Sequence, residues 1–346
     1  MSGTVGFPLN LAQHIRPARN PPPGHSGRSS VIIVLTHTWV VIALLLVGCV
    51  SHQKLVSLAP VGRLIDIGGR RLHMLCVGSG SPTVILESGA AEGWYSWYLV
   101  QQQLGDGVRS CAYDRAGFGF SDPAPQPRTE AGLVEDLHKL LQRSGERGPY
   151  VLVGHSLGGI LARRYAYRYP SEVAGLVLVD SAHEDFVRFG PPEIQEAGRR
   201  ARARRAEEIR GWRATNTWPE MGAPDVLPPA LRKIVLRLSA SEKWWDARFA
   251  EGDLPDQNET VPAERRRLGI PLVVITAMNW PKPAIWPESA FAKWKEVRKE
   301  LQGELVSRSP QSVHIEVDCG HSVQIERPDV VVDSIRKVIA AVQGGN

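Results

Sequence analysis

The run Tyr150-Val151-Leu152-Val153-Gly154-His155-Ser156-Leu157-Gly158-Gly159 holds a serine in the pattern G-x-S-x-G, between an apolar strand-like stretch and a helix-like one. That pattern turns a chain sharply from strand to helix, and its neighbours must be small, which Gly154 and Gly158 are. The turn lifts Ser156 clear of the sheet to a helix N-terminus, whose positive end favours negative charge developing nearby. A serine hydroxyl is a poor nucleophile at neutral pH and needs a base within hydrogen-bond reach. Histidine titrates in the right range. His73 lies within a strand-like run and His314 starts one, so both read as structural. His155 adjoins Ser156 but points elsewhere on so sharp a turn, and His183 follows Asp180 closely enough to line a pocket. His321 falls in a loop between the last strand and the last helix.

These residues need a frame. From Val61 onward short apolar runs alternate with amphipathic stretches, the signature of an α/β protein with a largely parallel sheet. The expected strands are Arg63–Ile67 and Arg71–Val77, joined by a Gly68-Gly69 hairpin turn, then Thr83–Glu87, Val108–Asp114, Tyr150–Gly154, Val173–Asp180, Pro271–Thr276 and Val313–Val317. Helices are expected over Trp94–Leu104, Glu130–Arg143, Leu157–Tyr169 and Val330–Val342. The alternation breaks between His183 and Leu268, a highly charged, helix-like stretch that reads as an insertion between two strands.

Three motifs occur together: Gly154-His155-Ser156-Leu157-Gly158-Gly159; Asp114-Arg115-Ala116-Gly117-Phe118-Gly119-Phe120-Ser121-Asp122; and Gly320-His321 ahead of Glu326-Arg327-Pro328. In order and spacing, the chain from about Gly62 to Val342 resembles the α/β-hydrolase superfamily of esterases, lipases, epoxide hydrolases and cofactor-free haloperoxidases. The resemblance implies an α/β-hydrolase fold: a mostly parallel eight-stranded sheet flanked by helices, with a core over 61–182 and 269–346 and a helical lid over 183–268. It implies His321 as the base. For the acid, most relatives carry Asp after the strand matching Pro271–Thr276, but this chain reads Ala277-Met278-Asn279-Trp280-Pro281-Lys282 there, with no carboxylate until Glu288. Some relatives place the acid at the end of the strand after the nucleophile helix, which here is Asp180. Asp180 is therefore favoured, with Glu288 the alternative and Glu184 or Asp185 behind it.

Acyl transfer builds charge on a carbonyl oxygen, received by two backbone N–H groups. The expected donors are Leu157 and, from Ser88-Gly89-Ala90 after the Thr83–Glu87 strand, Ala90. Many relatives have His-Gly in that loop, and Ser88 stands in place of the His. Asp114 and Arg115 are expected to hold loops together without doing chemistry. The implied activity is hydrolysis of a small-molecule carboxylic ester, with an apolar acyl group, through an acyl-enzyme, and no metal or organic cofactor is required. Epoxide hydrolases and haloalkane dehalogenases use an Asp nucleophile where Ser156 stands. A peptidase or amidase, a cofactor-free haloperoxidase and a catalytically silent binding protein on the same fold stay as alternatives.

Residues 1–30 carry Arg16, Arg19 and Arg28 with no acid and read as a disordered basic lead. Val31 to Val50 is apolar enough and long enough for a transmembrane helix. Positive charge before the segment places the rest of the chain on the extracytoplasmic side. The segment is either an uncleaved signal anchor or an export signal whose Leu46-Val47-Gly48-Cys49 resembles a lipobox. In the insertion, Arg199, Arg200, Arg202, Arg204, Arg205 and Arg210 read either as contacts to anionic lipid headgroups or as a solvated helix face balanced by Glu207 and Glu208. Trp244, Trp245, Trp280 and Trp286 suit an acyl pocket, a bilayer interface or plain core packing. The four cysteines, Cys49, Cys76, Cys111 and Cys319, show no ligand spacing, which argues against zinc. They read as buried small hydrophobes, with a Cys76–Cys111 disulfide open to an exported domain. A net charge of +5 with no aromatic-basic motif argues against nucleic acid.

Overall fold

The computed structural model describes residues 60–254 and 267–344. The basic lead and the apolar segment at 31–50 lie outside them, and no described helix is long and apolar enough to cross a membrane. In chain order the elements are β1 (Arg63–Asp66), β2 (Arg71–Val77), β3 (Val84–Glu87), a 3-10 turn (Trp94–Trp97) leading into α1 (Tyr98–Leu104), β4 (Ser110–Tyr113), α2 (Glu130–Ser144), β5 (Tyr150–His155), α3 (Leu157–Arg168) and β6 (Val173–Val179). There follow α4 (Phe186–Phe189), α5 (Pro192–Thr215), α6 (Pro229–Ser239), α7 (Glu242–Asp253), β7 (Leu272–Ala277), α8 (Glu288–Ser307), β8 (Ser312–Val317), α9 (Val323–Glu326) and α10 (Pro328–Gly344).

The strands form one eight-stranded sheet in the order β1-β2-β4-β3-β5-β6-β7-β8. β1, β2 and β4 pair antiparallel and the rest pair parallel. Both faces are covered, so alternation along a strand divides apolar residues between two cores instead of between core and water. Ile85, Leu152, Leu176 and Leu178 pack on one face with Leu133, Leu137, Leu161 and Tyr165 of α2 and α3. Val84, Leu86, Val153, Val177 and Val179 pack on the other with Val100 of α1 and Val331, Ile335 and Val338 of α10. α2 begins where the Thr129 side chain accepts from Gly132 N–H, a sequence-local cap, and ends at Gly145 in the left-handed conformation.

Three elements depart from the sequence reading. The stretch expected as one helix over Trp94–Leu104 opens as a 3-10 turn before α1 begins. The one-turn α9 and the long α8 have no counterpart in that reading. The buried α8 residues Phe291, Trp294, Val297, Leu301 and Leu305 recur at helical spacing, which is the signal that marks it. α4 to α7 fall between β6 and β7, where the charged insertion stands in the sequence. Cys76 and Cys111 face each other across the β2–β4 pair and are joined by a disulfide.

Candidate active site

β5 is buried along its whole length and delivers the chain to a sharp turn at its C-terminal end. Ser156 sits on that turn with φ 51° and ψ −119°, at the N-terminus of α3. Close passage explains the glycines. A Cβ on Gly154 would run into the Gly158 carbonyl, and one on Gly158 into the Glu87 and Ser88 carbonyls. The turn is stitched to its neighbours: Ser156 N–H donates to Val179 O at 3.2 Å, and Ser156 O accepts from Ala182 N–H at 2.9 Å. Of the four described non-glycine residues with positive φ, three are Ala91, Ser156 and Asp180, all at or beside this site. Such conformations cost of order 1–3 kcal/mol each and persist only where the surroundings hold them.

Asp180 follows directly on β6 and is 2% exposed. Its Oδ1 accepts from Ala277 N–H at 3.0 Å and from the Arg298 guanidinium. Its Oδ2 accepts from Trp280 Nε1 at 2.9 Å and lies 2.6 Å from His321 Nδ1. Burial alone would raise this carboxyl, but the His321 hydrogen bond and the Arg298 charge outweigh it and hold it below the usual carboxylate range. His321 lies in the loop between β8 and α9, with its ring 4.2 Å from Trp280 and 4.5 Å from His155. Burial, joined by repulsion from His155, draws His321 below its ordinary value in spite of Asp180, which keeps the imidazole neutral and able to accept a proton near pH 7.

His155 does not merely point away from Ser156. Its Nε2 lies 3.0 Å from the His321 carbonyl and its Nδ1 3.2 Å from Glu92 Oε2, so it supports the loop that carries His321. Burial opposes charge on His155, but the Glu92 carboxylate wins and raises it above the usual range. His73 is buried on Asp114 at 2.7 Å, and His314 Nε2 lies 2.9 Å from Thr276 Oγ1. Glu288 is not brought to the site: it opens α8 on the surface, 3.6 Å from Lys282 Nζ. Glu184 borders the cavity but is bound by Arg163 at 2.7 Å and Arg308 at 3.1 Å.

Ser156, Leu157, Ala90, Asp180 and His321 line one cavity of about 330 Å³. No hydrogen bond to Ser156 Oγ is formed among the described residues; such contacts often tighten only when substrate is bound. Arg115 secures the loop that carries Ala90. Its Nη1 donates to Ser88 O and its Nη2 to Gly89 O, at 2.7 and 2.6 Å, while Nε and Nη2 grip Glu251 of α7. Glu251 in turn accepts from Ala91 N–H at 3.0 Å and from Arg128 at 3.0 Å. The residues on either side of Ala90 are thus tied down, by Arg115 on one and Glu251 on the other. Trp280, Trp286, Trp294, Phe186 and Leu301 give the cavity an apolar wall. Trp244 and Trp245 instead join the insertion to the core, packing against Phe118 and Ala247. Arg298 was missed from sequence because its helix was missed; it stacks over Trp280 and Trp294 as it reaches Asp180.

The profile of the Alpha/beta hydrolase family matches residues 75–334. The chain belongs to that family. The solved structures agree in fold. A probable hydrolytic enzyme from Pseudomonas aeruginosa superposes with a TM-score of 0.60 at 25% identity, covering 81% of this chain and 94% of that one. A thermophilic esterase from Thermogutta terrifontis superposes with a TM-score of 0.53 at 25% identity, covering 79% and 94%. Among curated proteins, the uncharacterized protein YbdG of Bacillus subtilis is 29% identical over 137 residues, 37% of this chain and 40% of its own length. Epoxide hydrolase 3 of Xenopus tropicalis is 34% identical over 134 residues, 36% of each chain. The chain spans less than half the length of these curated relatives.

Proposed function

We propose that this alpha/beta hydrolase cleaves small-molecule carboxylic esters through an acyl-enzyme on Ser156. The observation that carries the reading is Ser156 on its positive-φ turn, sharing a cavity with His321, whose Nδ1 lies 2.6 Å from the buried Asp180. In the proposed cycle Ser156 Oγ bonds to the ester carbonyl carbon while its proton passes to His321. The N–H groups of Leu157 and Ala90 receive the charge on the carbonyl oxygen. Collapse breaks the bond to the alcohol, which leaves with the proton from His321. Water then repeats the sequence on the acyl-enzyme and releases the acid. Asp180 orients His321 and stabilises its charged form. The aromatic wall of Trp280, Trp286 and Trp294 favours an apolar group on the substrate.

A fluorophosphonate probe is expected to label the wild type and not Ser156→Ala. Labelling of the variant, or none of the wild type, overturns the reading. A second reading comes from the name of Epoxide hydrolase 3. That chemistry uses an aspartate where Ser156 stands, so the wild type is expected to leave styrene oxide unchanged, and its turnover is the result that would favour this reading.

The reading includes a tether through the apolar segment at 31–50, with the hydrolase on the extracytoplasmic side. The Cys76–Cys111 disulfide supports an oxidising compartment. A C-terminal alkaline phosphatase fusion to the full chain is expected to be active, and an inactive fusion of a stable protein overturns the orientation.

A further inference from the structure

A second cavity, of about 250 Å³, also reaches Ala90 and is lined by Glu92, Tyr95, Trp244, Arg248 and Ser322 among others. Ala90 borders both cavities, so each of the two spaces touches the residue proposed to hold the oxyanion. Ser322 follows His321 in the chain, which brings the second cavity to the loop of the base as well.

Arg248 stands out among the guanidiniums near this site. Arg115 and Arg128 meet Glu251, Arg163 and Arg308 meet Glu184, and Arg298 meets Asp180. Arg248, half-buried on α7, lies over the rings of Trp244 and Trp245 at 5.6 and 5.9 Å and has no carboxylate or carbonyl partner among the described residues. Glu251 is three residues along the same helix but is taken by Arg115 and Arg128. Glu92, in the same cavity, is held by Gly89 N–H and His155, each at 3.2 Å. The hydroxyl of Tyr95 likewise has no hydrogen-bond partner among the described residues. A partly desolvated cation without a hydrogen-bonded carboxylate is costly, and indole faces, with the more distant attraction of Glu251, offset only part of that cost. Burial, joined by repulsion from Arg205 over the ring of Trp245 at 5.3 Å, draws Arg248 below its ordinary value in spite of Glu251. A carboxylate in the cavity would relieve both, because a planar guanidinium grips a carboxylate through paired hydrogen bonds.

We propose that this second cavity is an anion subsite in which Arg248, aided by the Tyr95 hydroxyl, binds a carboxylate carried by the substrate, while the apolar part of that substrate lies in the tryptophan-lined cavity. The preferred substrate class is then an ester bearing a free carboxylate. The catalytic consequence rests on the acyl-enzyme reading; the binding does not.

Two pairs of esters test it on the full chain: mono-4-nitrophenyl glutarate against 4-nitrophenyl valerate, and 4-acetoxybenzoate against phenyl acetate. The pairs place the carboxylate on the acyl and the alcohol side respectively. The wild type is expected to favour the charged member of one pair. In Arg248→Met the charged-to-neutral ratio of kcat/KM is expected to fall about tenfold or more, as loss of a charge-assisted hydrogen bond implies. Arg248→Lys should keep part of the preference, and the milder Tyr95→Phe should lower it about threefold. An unchanged ratio in both Arg248→Met and Tyr95→Phe, or no preference in the wild type, overturns the proposal. Binding of monomethyl glutarate to Ser156→Ala, followed by calorimetry, separates the two readings. If no ester is turned over but this binding weakens about tenfold on adding Arg248→Met, the acyl-enzyme reading fails and the subsite stands. If monomethyl glutarate does not bind, or binds equally without Arg248, the subsite fails whatever the enzyme hydrolyses.

Discussion

Two helices of the same insertion, α5 and α7, use arginine and glutamate in opposite ways. α5 has the conspicuous run of arginines, yet of its 24 residues only Ile194 and Ile209 are buried. Its charges pair along the helix in water: Arg199 and Arg200 with Glu196, Arg205 with Glu208, Arg210 with Glu207. α7 carries Glu251, 2% exposed, which joins Arg115, Arg128 and the Ala91 N–H beneath the insertion. Exposed pairs contribute about 0–1 kcal/mol. A buried pair adds little net stability, but removing one partner strands the other charge. The density of charge in a sequence is therefore a poor guide to which charges matter. What counts is whether water can replace a missing partner.

The largest effect is expected where a buried charge touches His321, the proposed base. Asp180→Asn should lower kcat about 10⁴-fold, the scale seen when a triad base loses its orienting acid. The exposed Glu288→Gln should stay within about twofold in the same steady-state assay. If Glu288→Gln is dead and Asp180→Asn active, the acid is misassigned and the contrast between buried and exposed carboxylates breaks with it. Next comes Glu251→Gln, which leaves Arg115 and Arg128 without their counter-charge. Urea unfolding should register a loss of roughly 3–5 kcal/mol, and kcat should fall because the Ala90 loop loses its hold. A loss as small as that of a surface pair would mean that the seam does not position the loop.

A third test uses pH. His321 is depressed by burial and by His155, so the folded value lies below that of a free imidazole, about 6.5. A base must be neutral to act, so kcat/KM should hold as pH falls through 6.5 and drop only below it. An acid limb above 6.5 would show that Asp180 outweighs burial. The smallest effect is expected on α5: Arg199→Gln with Arg200→Gln should change stability by no more than about 0.5 kcal/mol in the same urea experiment.

Much of the frame was legible because it is local. The Gly68-Gly69 hairpin, the helical spacing of Glu130–Arg143, and the apolar strand followed by a small-residue turn at Ser156 all depend on residues within a few positions of one another. α8 was the exception. Charged and polar residues surround its apolar stripe, which blurs the helical period along the chain.

By itself the sequence determined the order of the strands and most of the helices between them, the turn that must expose Ser156, and the short roll of histidines from which a base could come. It could not decide what stands behind that base. Asp180 and His321 are separated by 141 positions, and Arg115 and Glu251 by 136. Arg298 meets Asp180 only because α8 packs beside β7. Whether a carboxylate is a buried partner or a solvated ornament depends on which chain segments cover it. Pattern along a chain does not encode that, whereas the packing of the folded molecule settles it for Asp180, Glu251 and Glu288.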